Sequence, residues 1–166
     1  MVTLNIQLSF LLSWIFVSSN DLMKLSSRKN RQEILYNLIP EINNHQINRI
    51  LSKVTDEILI KSDGFGMWTG KLIVGKFLSK VFLSFPDFRM KLLNDCYGND
   101  NPGITMSEIN IEGQQRGSFM GNPPSGKEFS INSVIVFEFD KSIKIKAIRV
   151  YYDSKMTYKQ LDIMRV

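Results

Sequence analysis

Apolar positions at Ile34, Leu35, Leu38 and Ile39, after the polar stretch Ser26–Glu33, predict a helix with one greasy face, stopped by Pro40. Ile47, Ile50, Leu51 and Val54 recur at i, i+3, i+4 and i+7 and predict a short second helix. The period then shortens. Glu57–Lys61 reads as a strand, Asp63–Gly70 as a glycine-punctuated loop, and Lys71–Phe85 as a third helix with Leu72, Ile73, Phe77, Val81 and Phe82 toward a core. Beyond Pro86 the pattern is strand-like over Phe88–Asp95, Ile104–Gly113, Lys127–Phe139 and Ile143–Asp153. Asn99–Gly103 and Asp140–Ser142 supply reversals, and Lys155–Met164 closes as a helix.

Helices followed by hairpin-linked strands indicate an α+β domain, with helices on one face of an antiparallel sheet. Asn132–Phe139 (NSVIVFEF) is largely apolar on both faces, which calls for cover on both sides. Helices cover one face, and a second copy of the chain would cover the other, so a homodimer is the expected state. Residues 1–22 stand apart. Leu8–Val17 is an apolar run too short to span a bilayer as a helix. It reads as a signal-peptide core lacking a basic leader, as an added element packed on the domain, or as an over-extended start before Met23. The domain proper is expected over residues 23–166. The cytoplasm is the expected compartment, with secretion the alternative if residues 1–19 are a signal peptide.

Composition changes this picture little. The chain has 166 residues and a net charge of +5, but its basic residues are scattered, so neither nucleic acid nor a membrane is an expected partner. Cys96 is the only cysteine, which excludes an intrachain disulfide and leaves a small hydrophobe or idle thiol. Gly64-x-Gly66 lacks the context of a nucleotide fingerprint, and the sequence contains no metal-ligand cluster, nucleophile elbow or P-loop.

Three stretches carry a resemblance. Phe85-Pro86-Asp87-Phe88 resembles the FPD signature of the SnoaL-like polyketide cyclases, also called ester cyclases. Gly113-Gln114-Gln115-Arg116-Gly117, running on to Pro123-Pro124-Ser125-Gly126-Lys127, resembles their G-T-H-x-G … P-P-T-G-K segment. Val134–Leu161, with Tyr151-Tyr152-Asp153 and Gln160-Leu161, resembles their C-terminal ending. The resemblance implies a fold of the nuclear-transport-factor-two superfamily: a cone-shaped, curved sheet wrapped on N-terminal helices around an apolar pocket, commonly dimeric through the sheet. It also implies aldol or isomerase chemistry on an apolar, carbonyl-bearing small molecule, with a carboxylate as base and no metal or organic cofactor.

Residue by residue, the acid–base groups of that family are replaced here. Its catalytic aspartate aligns with Val150, its helping histidine with Ile135, and the histidine of G-T-H with Gln115. The base of ketosteroid isomerase, a superfamily cousin, falls near Ser62. Asp153 is the surviving carboxylate, either a base at the cavity rim or the N-cap of the closing helix, on the amide of Lys155 or Met156. Tyr152 could donate to a ligand carbonyl or simply pack. Phe65 and Trp68 are a ligand lid or core anchors, and Tyr36 on the first helix is counted with the pocket residues. Arg116 and Arg149 are expected to pair with carboxylates, and His45 to be a turn residue. Three functions follow: a cyclase or isomerase, a pocket that binds without turnover, and a dimerisation domain with a closed core.

Overall fold

A computed structural model describes residues 19–97 and 103–163. The apolar run Leu8–Val17 and the turn Asn99–Pro102 lie outside them. Helices α1 (Ser19–Asn43) and α2 (Ile47–Ser52) lead into strands β1 (Val54–Ser62) and β2 (Gly66–Thr69), then helix α3 (Lys71–Ser84). Strands β3 (Arg89–Tyr97), β4 (Ile104–Gln114), β5 (Glu128–Phe139) and β6 (Ile145–Tyr152) follow, and helix α4 (Ser154–Leu161) closes the chain. The six strands form one curved, unclosed sheet in the order β2-β1-β6-β5-β4-β3. This is the α+β architecture expected, with five departures in detail.

The sheet is mixed rather than antiparallel. β1 runs parallel to β6, with Ile60 beside Ile148 and Ser62 beside Val150. Hairpins fix the direction only of strands adjacent in sequence, and α3 separates β1 from β3, so no local turn sets β1's neighbour. The glycine-rich stretch after β1 holds the short edge strand β2, paired through Ile60↔Trp68. Pro40 lies inside α1 rather than ending it. Its missing N–H falls in the last turn on the exposed side, where water can serve the freed carbonyl, and Asn44 N still donates to Pro40 O at 2.9 Å. Val54 opens β1 instead of closing α2, and β6 starts at Ile145 because Ile143 sits in the preceding reversal at φ 60°. There the Asp140 carboxylate accepts from the amides of Ser142 and Lys144 at 2.9 and 2.8 Å.

α1 places Leu35 and Leu38 against the sheet, and both are buried. It runs on both sides of Met23. On β5 the alternation is strict: Phe129, Ile131, Ser133, Ile135, Phe137 and Phe139 are buried. The opposite face reads Glu128, Ser130, Asn132, Val134, Val136 and Glu138, so the strand is apolar on both sides only at Val134 and Val136. On that face Glu138 pairs with Lys146 at 2.8 Å and Arg149 at 3.1 Å.

Candidate functional site

The inner face of the sheet, α3 and α4 line an apolar cavity of about 140 Å³. β1 contributes Ile60 and Ser62, β6 Val150 and Tyr152, β5 Phe129 and Ile131, and α3 Phe77, Val81 and Phe82. Strand alternation explains the β6 pair, since residues two apart share a face. Aromatic rings shape the walls. Trp68 stacks on Phe77 with centroids 3.9 Å apart, and Phe85 meets Phe119 and Phe129 edge-on at 4.9 and 5.1 Å.

A larger groove of about 460 Å³ opens beside the cavity. Its floor is the Gly117–Gly121 loop, which is fastened to the end of α3. Ser84 O accepts from the amides of Arg116 and Gly117 at 2.8 and 3.0 Å, and Ser84 Oγ donates to Ser118 O at 2.6 Å. These bonds satisfy a carbonyl that a helix end leaves without an intrahelical partner. Gly117 is required for the approach: a Cβ there would stand 2.5 Å from Leu83 O. The cavity and the groove share five wall residues, Phe65, Trp68, Phe77, Val81 and Phe119.

The signature residues acquire physical roles. Asp87 of Phe-Pro-Asp accepts from Gln114 N at 2.8 Å and pins the end of β4. Gln115, fully buried, donates from Nε2 to Gly117 O and Pro123 O at 3.2 and 3.0 Å and accepts from Ser125 Oγ at 2.8 Å. It clamps the loop from within. Gln160 clips α4 to β5 through Ser130 N and Ser130 O, at 3.0 and 3.2 Å.

Of the candidate residues, the fold gathers Phe65, Trp68, Val150 and Tyr152 at the cavity. Ile135 shares their sheet face and is buried at 3% exposure, but it packs in the core beyond the cavity, opposite Val150 in register. Tyr36 is a correction. It is 49% exposed and donates to Asp95 at 3.4 Å, because it lies on the side of α1 away from Leu35 and Leu38. Asp153 is the N-cap of α4: its carboxylate accepts from Met156 N at 3.0 Å, and the residue is exposed, outside the cavity wall. Asparagine caps about as well as aspartate, so Asp153→Asn is expected to leave stability almost unchanged, while Asp153→Ala costs about 1 kcal/mol in urea denaturation. Equal losses for the two variants would contradict the cap. Arg149 pairs with Glu138, whereas Arg116 donates to the Gln114 amide oxygen at 2.8 Å and not to a carboxylate. His45 occupies the turn after α1 at φ 54° and stacks on Phe82 at 4.2 Å.

The polar groups in the cavity wall are Ser62, Tyr152 and Thr157. Thr157 Oγ1 is spent on Asp153 O at 3.2 Å. Tyr152 Oη is buried and has no hydrogen-bond partner among the described residues. Burial pushes its phenol well above the usual range, and Tyr158 and Asp63 add to this. Ser62 opposes the shift, lying close enough to act on the phenol without meeting hydrogen-bond geometry. Phe65 covers the Tyr152 ring at 5.5 Å, in the turn Asp63–Phe65. At Gly64 a Cβ would stand 2.6 Å from Ser154 Cβ, and φ is 89°. Neither a carboxylate nor an imidazole stands in the described wall of the cavity, and no group of three or more His, Cys, Asp or Glu able to hold a metal occurs among the described residues. No described helix is long and apolar enough to cross a membrane.

The model of the SnoaL-like polyketide cyclases matches residues 33–161. The chain belongs to that family. Solved structures with the same fold include the candidate SnoaL-like polyketide cyclase from Jannaschia sp. CCS1, with a TM-score of 0.72 and 16% identity over 82% of this chain and 94% of that one. The phenazine biosynthesis-related protein PhzB2 from Pseudomonas aeruginosa matches with a TM-score of 0.69 and 16% identity, over 86% of this chain and 92% of that one. SalBIII, an epoxide hydrolase/cyclase-like enzyme of pyran ring formation in polyether salinomycin, matches at 0.66 and 17%, over 77% and 94%. At these identities the SnoaL-like likeness speaks for the fold. A search of curated proteins finds no match. Sequence reasoning singled out Tyr152 but not its missing partner, nor Ser62 as a polar wall group beside it; the parallel register of β1 on β6, which sets Ser62 next to Val150, has no local signal.

Proposed function

We propose that this SnoaL-like protein binds an apolar small molecule bearing a carbonyl oxygen, with its hydrocarbon in the cavity and its oxygen at Tyr152 and Ser62. The observation that carries this reading is the buried, unpartnered Tyr152 hydroxyl at the wall of an otherwise apolar space. A buried donor without a partner costs the apo fold free energy, and a ligand oxygen that accepts its proton recovers it.

A phenol held in its protonated form can also donate to a carbonyl that gains negative charge during enolisation or ring closure. Proton abstraction needs a base as well, and the described wall of this cavity offers no carboxylate or imidazole. The geometry therefore favours binding and positioning over acid–base turnover.

The test uses cyclohexanone and its deoxygenated counterpart cyclohexane, followed by Trp68 emission in a Trp14→Phe background. The ketone is expected to bind about tenfold more tightly than the hydrocarbon, the worth of one buried hydrogen bond. Tyr152→Phe should erase that difference while leaving the apo protein as stable or more so, because the orphaned hydroxyl is gone. Equal affinities in the parent protein, or a stability loss in Tyr152→Phe with no change in selectivity, would overturn the reading.

A further inference from the structure

The cavity alone is small. At about 140 Å³ it is close to the roughly 150 Å³ that accommodates one benzene ring in a dry protein interior. A ligand larger than one ring must extend past the shared walls into the groove. That groove differs in character from the cavity: serine hydroxyls and loop backbone enter its lining, and among the described residues Lys80 is the one charged side chain lining either space.

Lys80 stands there because of helix geometry. Phe77, Lys80, Val81 and Ser84 are spaced i, i+3, i+4 and i+7 on α3, so one stripe of the helix faces the cavity and groove. Three of the four positions are engaged. Phe77 stacks on Trp68, Val81 is buried, and Ser84 holds the loop. Lys80 has neither an ion pair nor a hydrogen bond among the described residues, whereas Lys71, at the start of the same helix, pairs with Asp56 at 2.7 Å.

Resting on the binding function proposed above, we infer that the ligand is an elongated amphipathic monocarboxylate: one ring, the part that carries the carbonyl oxygen, in the cavity, a linker past the wall that cavity and groove share, and a carboxylate at Lys80. The ring fills the space that excludes water, and the charge stays at the wet mouth. An anion is thereby held at the surface, where its desolvation is slight. The attraction is correspondingly modest and screened by salt. Lys80 determines specificity and takes no part in any reaction.

The probes are 6-phenylhexanoate and 6-phenylhexanamide, which share ring, linker and shape but differ in charge. Calorimetric titration of the full chain at low salt is expected to give about a two- to fivefold preference for the carboxylate. The preference should shrink at 0.5 M salt and vanish as pH falls through the carboxylate pKa, roughly 4–5. Lys80→Gln should abolish it and leave amide binding intact. Lys91→Gln, an equal charge change on exposed β3, should preserve it. If the amide binds and the carboxylate binds no better, or if Lys91→Gln erases the preference as fully as Lys80→Gln, the assignment of Lys80 fails while the cavity reading stands. If neither probe binds, the elongated-ligand inference fails, while the carbonyl reading is decided by its own ketone and hydrocarbon pair.

Discussion

Phe85→Ala is expected to destabilise the protein by about 3–5 kcal/mol, the usual cost of removing a fully packed phenylalanine. Phe85 is 2% exposed, directly after the last turn of α3, and its ring meets Phe119 and Phe129 edge-on. Its loss leaves a void that rigid strands cannot close, and it removes two aromatic contacts as well as the transfer free energy of the ring. A domain of this size has roughly 5–15 kcal/mol of stability in total, so the variant should be marginal at ambient temperature. Urea denaturation measures the effect through the shift in midpoint at constant m. Because Phe85 also lines the cavity, the void should join it, and benzene should restore part of the lost stability in proportion to its concentration. A loss below 1 kcal/mol, or no response to benzene, would show that the ring is not the wall described.

Gln115→Leu is expected to cost about 2–4 kcal/mol. Leucine fits the volume but leaves Gly117 O, Pro123 O and Ser125 Oγ without the partner they now share, and each stranded polar group costs roughly 1–3 kcal/mol where water cannot reach it. Gln115→His is the informative companion. A neutral imidazole carries one donor and one acceptor, so it can keep Ser125 and one carbonyl but not both carbonyls. Its loss should be smaller than that of leucine. The Gly117–Gly121 loop floors the groove, so binding of 6-phenylhexanoate should weaken in the same order. Indistinguishable stabilities for the parent and Gln115→Leu would refute the clamp.

The legible part of this protein is the part written in local periodicity and local turn chemistry. Leu35 and Leu38 on one helical face, the alternation of Phe129 through Phe139, the Asp140 reversal and the cap at Asp153 each depend on residues within a few positions of one another, so their spacing alone sets them. The family signature was legible for the same reason: Gln115, Gly117 and Ser125 lie close in the chain and bond to one another. Strand phase likewise placed Val150 and Tyr152 on a common side.

Tertiary structure decided the rest. Whether β1 joins β6 in parallel depends on chain segments about ninety residues apart, and no local pattern encodes that choice. Pro40 reads as a stop because a proline removes a donor, yet the cost depends on whether the freed carbonyl faces water, which packing alone fixes. Tyr36, counted with the pocket residues from sequence, falls outside the stripe of Ile34, Leu35, Leu38 and Ile39, and the packing of that stripe on the sheet leaves it exposed. The missing partner of Tyr152 and the solitary charge of Lys80 are properties of what surrounds a side chain in space. A sequence can name the donor and the cation; only the folded chain determines that the one is buried with nothing to bond and that the other stands at the mouth of the same apolar space.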